Sequence, residues 1–314
     1  MEFEMAAKPL HTSPLRTRIY VDGYNFYYGC LKGTPFKWLD LMVLFERWVL
    51  PSAATGSGSR SSQLLPLAIN YFTADILEKA ARAPDSVSSQ SRYHTALKKL
   101  YPDRIKCIKG YYSLIESKAK IVDAEEPAKW PRDCQEILVW KLEEKQSDVS
   151  LALQAYHDAI TGAVDQVVIV TNDTDIAPAL EMIRCHTQAT IGLIVPTRDG
   201  QRIPNAELEN RAHWVRTHIT EEELRNSQLP RVIAGKRPAV KPESWYARPD
   251  LLERVLALAT PIRGGRGRAF KWMETPNSHL GNFAPIDLVE TEEGARQVLA
   301  YIAAYLADHN AAEL

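Results

Sequence analysis

The stretch that decides the fold lies near the N-terminus and reads Ile19-Tyr20-Val21-Asp22-Gly23-Tyr24-Asn25-Phe26. An apolar run with β-branched and aromatic residues leads into Asp22, and the pattern breaks at Gly23. This predicts a buried strand that is followed by a turn and a helix. Asp22 then stands at the carboxyl end of the strand. Because ligands of open α/β sheets bind at that edge, the sequence predicts a functional site around Asp22.

Further strand-like runs alternate with helical patterns along the first two thirds of the chain. The predicted strands are Leu64–Phe72, Ile105–Tyr112, Val167–Val170, Thr190–Val195 and His213–Thr217. Alternation of this kind is typical of parallel βαβ units, so the predicted fold class is α/β with a central parallel sheet. We expect a helix over Ala74–Ala83. The polar, proline-interrupted stretch 113–135 is expected to be an excursion at the sheet edge, outside the core.

Composition limits the class of protein. The chain has 314 residues, 45% of them hydrophobic and 25% charged, with a formal net charge of -1. These values are ordinary for a globular protein, and no apolar run approaches the roughly 18 residues that a membrane helix needs. The four cysteines form no CxxC pair, which argues against a zinc knuckle or a disulfide scaffold. The sequence therefore predicts a cytoplasmic protein with no membrane contact.

Changes of composition predict four segments. Residues 1–15 are expected to be a disordered tail and 16–222 the α/β domain. Residues 223–247 carry prolines and basic side chains, which predicts a linker. From 248 to 314 the pattern is helical without strand signals, which predicts a small all-α domain. Its three predicted helices are Leu251–Leu258, Arg268–Glu274 and Glu292–His309.

Acidic residues stand at several of the predicted boundaries. Asp22 ends the first strand, Asp173 and Asp175 follow the strand Val167–Val170, and Asp148 opens a helix. Strand ends of one parallel sheet share an edge, so these carboxylates are expected to converge. Clustered carboxylates repel one another, and a divalent cation such as Mg²⁺ or Mn²⁺ removes that conflict. A simpler interpretation of any single one of them is a helix N-cap.

Neighbouring polar and aromatic side chains complete the predicted site. Asn25, Thr171 and Asn172 are candidates to orient a water molecule or to hold a phosphate oxygen, and Tyr24 to contact substrate by stacking. With the acids, this set suits metal-dependent hydrolysis of a phosphodiester. Packing of the aromatic residue in the core of the first helix is the alternative for Tyr24.

Three segments resemble the motifs of the NYN family, relatives of the PIN-like nucleases. They are Tyr20-Val21-Asp22-Gly23-Tyr24-Asn25-Phe26, Glu143-Glu144-Lys145-Gln146-Ser147-Asp148-Val149 and Val170-Thr171-Asn172-Asp173-Thr174-Asp175-Ile176. The resemblance implies a PIN-like three-layer α/β/α fold and an Mg²⁺- or Mn²⁺-dependent endoribonuclease that cleaves single-stranded RNA. It places the metal ligands at Asp22, Asp148, Asp173 and Asp175, and it adds Asn25 to the catalytic residues.

The C-terminal segment has a resemblance of its own. The segments Trp272-Met273-Glu274-Thr275-Pro276-Asn277 and Thr291-Glu292-Glu293-Gly294 look like the toxin-binding domain of Xre/MbcA/ParS antitoxins. This implies a helical module in 248–314 that binds a protein partner or a second copy of the chain. Thr291 is predicted to cap the last helix.

Two other functions remain open at this stage. Chains with this whole arrangement also resemble hydroxylases of 6-hydroxy-3-succinoylpyridine, NADH-dependent monooxygenases of nicotine degradation, for which NADH and FAD would be the cofactors. The first strand is not followed by a GxGxxG turn, and the histidines form no pair typical of a non-haem iron site. The other alternative is a non-catalytic module that binds RNA or protein.

Overall fold

The computed structural model of the protein describes residues 13–53 and 60–312. The chain divides into two compact units. The first comprises the chain up to Lys32 together with Leu39–Val240, and the second comprises Gly33–Trp38 together with Lys241–Leu314. The division after Val240 falls inside the stretch 223–247. Most of the predicted tail, residues 1–15, lies outside the described residues.

The first unit is built on a mostly parallel sheet. Its strands are β1 (Leu15–Asp22), β2 (Ser62–Ala74), β3 (Ile105–Lys120), β4 (Glu136–Lys145), β5 (Gln166–Val170), β6 (Thr190–Ile194) and β7 (Trp214–Arg216). Their order across the sheet is β4-β3-β2-β1-β5-β6-β7. All neighbouring pairs are parallel except β3 and β4, which are antiparallel. The predicted α/β class with a central parallel sheet is therefore confirmed.

Helical segments connect the strands. The α-helices of the first unit are α1 (Gly23–Phe26), α2 (Leu41–Val43), α3 (Leu50–Ala53), α4 (Ser86–Leu100), α5 (Ser147–Ile160), α6 (Ala177–His186), α7 (Ala206–Glu209) and α8 (Glu221–Arg225). Wider π-helical turns continue α1 through Tyr27–Leu31 and join α2 to α3 through Leu44–Val49. A small hairpin of β8 (Val232–Ile233) and β9 (Ala239–Val240) ends the unit.

Helices cover both faces of the sheet. On one face, Leu151 of α5 and Leu180 of α6 pack with Tyr20, Phe72 and Ile169 in one buried cluster. Tyr71 is the neighbour of Phe72 in β2 and therefore points to the opposite face. There its ring lies 6.1 Å from the ring of His94 in α4. Both sides of the central strands are thus buried, which explains their continuous apolar runs.

A buried polar network fixes α5 to β1. The carboxylate of Asp158 accepts hydrogen bonds from the guanidinium of Arg18 and from the Tyr20 hydroxyl, each at 2.6 Å. Gln154 donates a third at 2.9 Å. Asp158 is 4% exposed, so its charge depends on these partners. The network therefore holds the C-terminal part of α5 against β1.

Two predictions of secondary structure are corrected. The predicted helix Ala74–Ala83 is wrong: β2 runs to Ala74, and only a 3₁₀ turn forms at Glu78–Ala80. This turn buries none of its side chains, and a short helix without a packed face is unstable. The stretch 113–135 lies at the sheet edge as expected, but β3 extends through it to Lys120. There β3 pairs with β4 from Tyr111↔Lys145 to Lys120↔Glu136.

The second unit is a small helical domain. Its helices are α9 (Pro249–Arg263), α10 (Arg266–Met273), α11 (Pro285–Leu288) and α12 (Glu292–Ala312). Their core contains Leu252, Leu256, Phe270, Met273, Leu280 and Val298. The Thr291 hydroxyl accepts a hydrogen bond from the Gly294 N–H at 3.1 Å, so the predicted cap of the last helix is confirmed. A Cβ on Gly294 would lie 2.1 Å from the Leu288 carbonyl oxygen, which explains the glycine of this motif.

Within the described chain, no helix has both the length and the apolar character needed to cross a membrane. The four cysteines are free thiols. The cytoplasmic location stays a prediction.

Candidate functional site

Asp22 lies at the carboxyl end of β1, as the sequence predicts. One of its carboxylate oxygens accepts the backbone N–H of Asn25 at 2.9 Å, and the other accepts the Thr171 hydroxyl at 2.8 Å. Asp22 is 4% exposed. Burial raises the pKa of this carboxyl, while the two hydrogen bonds act in the opposite direction. The alternative interpretation as an N-cap holds, because Asp22 caps α1.

The turn after β5 comes to the same edge. Thr171 is fully buried and joins the two strand ends: its hydroxyl donates to Asp22 and accepts the N–H of Asp173 at 3.1 Å. The carboxylate of Asp173 accepts the N–H of Asp175 at 3.1 Å and caps the 3₁₀ turn Thr174–Ile176. Asp175 is exposed. These contacts bring Asp22 and Asp173 together across adjacent strands.

Asn172, predicted to bind substrate, instead holds a loop. Its side-chain oxygen accepts the N–H of Asn205 at 2.9 Å, and its side-chain nitrogen donates to the Ile203 carbonyl at 3.2 Å. Both functional groups of the amide are therefore occupied by the backbone of the segment before α7. This geometry explains the residue structurally, as an anchor of the loop beside the site.

Asp148 reaches the edge from the first turn of α5. It is half-buried, and its pKa is raised to about 6. Burial is the largest cause, and the negative charges of Asp22, Asp173, Glu144 and Asp175 raise the pKa further. The predicted acids therefore lie close enough to interact electrostatically. A carboxyl with this pKa exchanges its proton near neutral pH, which is the property of a general acid or base.

The predicted metal site has no support in the described residues. Among the residues that the structure describes, no group of three or more His, Cys, Asp or Glu side chains is arranged to hold a metal ion. The carboxylates of Asp22 and Asp173 serve as helix caps, and that of Asp22 also links two strand ends through Thr171. The prediction of Asp22, Asp148, Asp173 and Asp175 as Mg²⁺ or Mn²⁺ ligands has no support in this geometry.

Aromatic side chains form one wall of the edge. The rings of Tyr24 and Tyr28 lie 4.5 Å apart, and Tyr27 meets Tyr28 edge to face at 5.3 Å. Tyr24 is 45% exposed, so it is not a core residue of the first helix. The ammonium group of Lys32 lies 4.7 Å from the centre of the Tyr28 ring. Burial raises the pKa values of Tyr24 and Tyr27, and the nearby charge of Arg82 acts in the opposite direction.

Sequence reasoning missed two polar residues of this site. Glu144, the penultimate residue of β4, accepts hydrogen bonds from the Ser147 and Tyr112 hydroxyls. Burial raises its pKa, and the charge of Asp22 contributes. Tyr112 is partly buried, and burial raises its pKa as well. The signal was the position of Glu144 four residues before Asp148, on the other side of a tight turn.

Comparison with known proteins gives one close relative. Over 304 residues the chain is 60% identical to a protein of Pseudomonas putida named 6-hydroxy-3-succinoylpyridine 3-monooxygenase HspA, covering 96% of this chain and 97% of that protein. A family model described as the antitoxin Xre/MbcA/ParS C-terminal toxin-binding domain matches residues 258–306. The predicted resemblance of the C-terminal segment is therefore confirmed.

A solved structure of a protein of unknown function from Vibrio parahaemolyticus is also similar, at 17% identity. It covers 67% of this chain and 95% of its own, with a TM-score of 0.36. A likeness at this level supports no argument about fold or function.

These findings correct the main functional prediction. The relative is named as a monooxygenase, an oxidoreductase, so the predicted metal-dependent ribonuclease and the class of hydrolase are wrong. Binding of single-stranded RNA likewise has no support. The matched family model does not reach the NYN-like motifs. What the findings favour is the alternative drawn from the same sequence. The chain belongs to the family of the 6-hydroxy-3-succinoylpyridine 3-monooxygenase HspA.

Proposed function

We propose that this protein is a monooxygenase that acts on 6-hydroxy-3-succinoylpyridine, and that the carboxyl edge of its sheet binds this substrate. The observation that carries the proposal is the 60% identity, which extends over 96% of the chain and 97% of the relative. A match of this extent includes every element that builds the edge, from β1 through α6. The proposed site residues are Asp22, Tyr24, Asn25, Asp148, Thr171 and Asp173, together with Glu144.

The chemistry of the substrate supports this location. A pyridine ring is planar and stacks on aromatic faces, and the exposed ring of Tyr24 beside Tyr28 offers such a surface. A succinoyl chain ends in a carboxylate. The cations of Lys32 and Arg82 lie near the same tyrosines and provide charges of the opposite sign. In this arrangement the ring lies over the tyrosines with its carboxylate directed to these cations.

Proton transfer to the ring hydroxyl is assigned to Asp148. Its pKa of about 6 lets it accept and return a proton close to neutral pH. Glu144 lies near enough to raise that pKa by its charge. Asp22 and Thr171 hold the two strand ends together and fix the geometry around the acid.

A monooxygenase transfers one oxygen atom of O₂ to its substrate and reduces the other to water, so it needs a two-electron reductant. NADH and FAD are the candidates that the sequence suggested. The turn after β1 does not suit their diphosphates, which favour a helix N-terminus with free N–H groups. Here Asp22 already accepts the N–H of Asn25, and further carboxylates surround it. A Cβ on Gly23 would lie 2.5 Å from the Phe72 carbonyl oxygen, so this glycine serves close packing.

The proposal also covers the fold class of the first unit and the binding partner of the C-terminal domain. We assign the first unit, which contains most of the predicted domain 16–222, to the PIN-like three-layer class. The strand order, with β1 between β2 and β5, supports this assignment. For the C-terminal domain we propose binding of a protein partner, on the ground of the toxin-binding family that residues 258–306 match.

Turnover of the purified protein tests the function. The full chain is mixed with 6-hydroxy-3-succinoylpyridine, NADH and air, with and without FAD, and consumption of O₂ and substrate is followed. The Asp148→Asn variant is expected to lose at least about 100-fold in turnover, because a neutral amide transfers no proton. Asp103→Asn is the matched control, since Asp103 is exposed at the start of β3, on the opposite edge of the sheet. Equal activity in both variants, or no turnover by the wild type, would overturn the proposal.

A further inference from the structure

The outermost strand of the sheet, β4, has a long free edge. It runs for 10 residues and pairs with β3 along one side. In the described part of the chain no strand pairs with its other side. An edge strand of this kind presents N–H and C=O groups that another strand can bind. Edges of monomeric proteins are usually short or interrupted by proline, and β4 is neither.

The side chains of β4 add an apolar surface to this edge. Leu138, Trp140 and Leu142 alternate along the strand and therefore lie on one face. Their exposed fractions are 65%, 68% and 46%. The residue opposite Leu142 on β3 is Leu114, which extends the same face inward. A tryptophan between two leucines, all largely exposed, is a costly feature for an isolated surface.

A second group of exposed apolar side chains lies beside α5. Ile108 and Leu114 occupy positions of the same parity on β3 and so point to the same side of the sheet. Ile108, Phe72, Leu153 and Ile160 line a groove of about 720 Å³ next to α5. Leu153 and Ile160 are themselves exposed. Apolar side chains are thus exposed at two places on this side of the sheet, on β4 and beside α5.

We propose that β4 pairs antiparallel with β4 of a second copy of this chain, across a two-fold axis at Trp140. The pattern of the strand supports this occupant. A two-fold interface brings one patch against itself, and Leu138-x-Trp140-x-Leu142 reads the same in both directions. With Trp140 opposite the partner's Trp140, Leu138 lies opposite the partner's Leu142. All six apolar side chains then meet on one face, and the two sheets become continuous.

Neighbouring registers are less favourable. A two-fold axis at Lys141 would place Leu138 opposite the partner's Glu144. An axis at Val139 would place Leu142 opposite the partner's Glu136. A charged side chain directly opposite an apolar one does not make the favourable cross-strand contact of two apolar residues. Only the axis at Trp140 pairs each apolar residue of this face with another.

Charges at the ends of β4 are compatible with that register. It sets Glu136 opposite the partner's Glu144. Glu136 is neutralised within its own chain by Lys118 at 3.1 Å and Lys120 at 3.6 Å. Lys141 and Lys145 both pair with Glu143 on the other face of the strand. The charges of Glu136, Lys141 and Lys145 are therefore each balanced by an opposite charge of their own chain, which lowers the cost of bringing the two strands together.

The mass of the full chain in solution tests this interface. Sedimentation equilibrium of the wild type is expected to give twice the chain mass of 35.4 kDa. Trp140→Lys removes two central anchors and adds two like charges, so it should raise the dimer dissociation constant at least about 100-fold. Trp130→Lys is the matched control. Trp130 is 69% exposed, close to the 68% of Trp140, but it lies in the loop between β3 and β4, and this variant should stay dimeric.

Cross-linking distinguishes this register from other contacts. In a Cys134→Ser, Cys185→Ser background, Trp140→Cys is expected to form a disulfide-linked dimer on mild oxidation, because the axis places residue 140 opposite itself. Trp130→Cys in the same background should remain monomeric on a denaturing gel. A monomeric wild type would overturn the proposal. So would a dimer that Trp140→Lys leaves intact, which would place the interface elsewhere, or a 140 variant that does not cross-link.

Discussion

Two regions of the sheet differ in how they use their side chains: the carboxyl edge of the central strands β1 and β5, and the β3–β4 hairpin at one side. At the carboxyl edge of β1 and β5, polar groups are buried, and each carboxylate oxygen of Asp22 accepts a specific hydrogen bond. The β3–β4 hairpin, at the far side, exposes apolar groups such as Leu138 and Trp140. Buried polar groups are held by directed bonds, so a single change there is costly. Exposed apolar groups add little to the fold, and they indicate contact with another molecule.

The largest expected loss of stability comes from the buried polar network that joins α5 to β1. Asp158→Ala leaves Arg18 and the Tyr20 hydroxyl buried without their acceptor, which should lower the free energy of unfolding by about 3–5 kcal/mol. Urea denaturation measures it. The comparable change at an exposed pair, Asp165→Ala beside Arg16, should cost no more than about 1 kcal/mol. Equal losses would contradict the assigned role of burial.

Close packing at the turn after β1 gives the next effect. A Cβ at Gly23 would lie 2.5 Å from the Phe72 carbonyl oxygen and 2.9 Å from the Tyr71 ring. Gly23→Ala should therefore destabilise the fold by about 1–3 kcal/mol. Gly267→Ala is the control, because no described atom lies within 4 Å of a Cβ built there. A thermal shift of similar size and sign in both variants would show that the backbone change, and not the contact, is responsible.

The raised pKa of Asp148 predicts that removal of its charge stabilises the fold, by less than the losses described above. Its folded-state pKa of about 6 exceeds the ordinary 3.8, so the folded state binds the proton more tightly than the unfolded state. The free energy of unfolding then falls as pH rises from 4 to about 6 and stays lower above. Removing the charge by Asp148→Asn should stabilise the protein by about 1 kcal/mol at pH 8, after allowance for solvent screening.

Chemical denaturation of wild type and Asp148→Asn at several pH values checks this prediction. The difference should shrink towards about pH 4, where the wild-type carboxyl is protonated in the folded state. A stabilisation that does not change with pH would mean that the charge of Asp148 is not the cause.

The smallest effect is expected on the exposed hairpin. Val122 is 75% exposed just beyond β3, so Val122→Thr should change the free energy of unfolding by less than about 0.5 kcal/mol. Urea denaturation of Val122→Thr and Asp158→Ala in one series compares the smallest and the largest expected losses of unfolding free energy. A loss above that range would mean that the hairpin packs against structure that the described residues do not include.

Much of the edge around β1 is predictable from sequence, because buried parallel strands are continuous apolar runs that end sharply. The runs before Asp22 and Asp173 mark their strand ends, and parallel pairing puts both on one edge. The hairpin is harder to predict. Its strands are exposed on both faces, so apolar and polar residues such as Ile115 and Lys118 follow no consistent core pattern. The second half of β3 is a strand because it pairs with β4, and the local sequence does not show which segments pair.

The chemistry of the site is less predictable than its position. Four carboxylates near one edge suggest a metal. The sequence does not show that Asp22 accepts hydrogen bonds from Thr171 and from a backbone N–H, or that Asp173 accepts one from a backbone N–H. Glu144 was not predicted as a site residue because the sequence does not reveal β4, near whose end it lies. Raised pKa values of carboxyls suit proton transfer in several reactions. The proposed type of reaction is therefore based on the relative, and the proposed roles of the residues are based on the geometry.

Isotope labelling tests the central claim most directly. The purified full chain is incubated with 6-hydroxy-3-succinoylpyridine and NADH, with and without FAD, under ¹⁸O₂, and the product is analysed by mass spectrometry. The proposed function predicts one ¹⁸O atom per product molecule, at a rate that Asp148→Asn lowers and Asp103→Asn does not. A product whose new oxygen comes from water, or recovery of the substrate unchanged under every condition, would contradict a monooxygenase at this edge of the sheet.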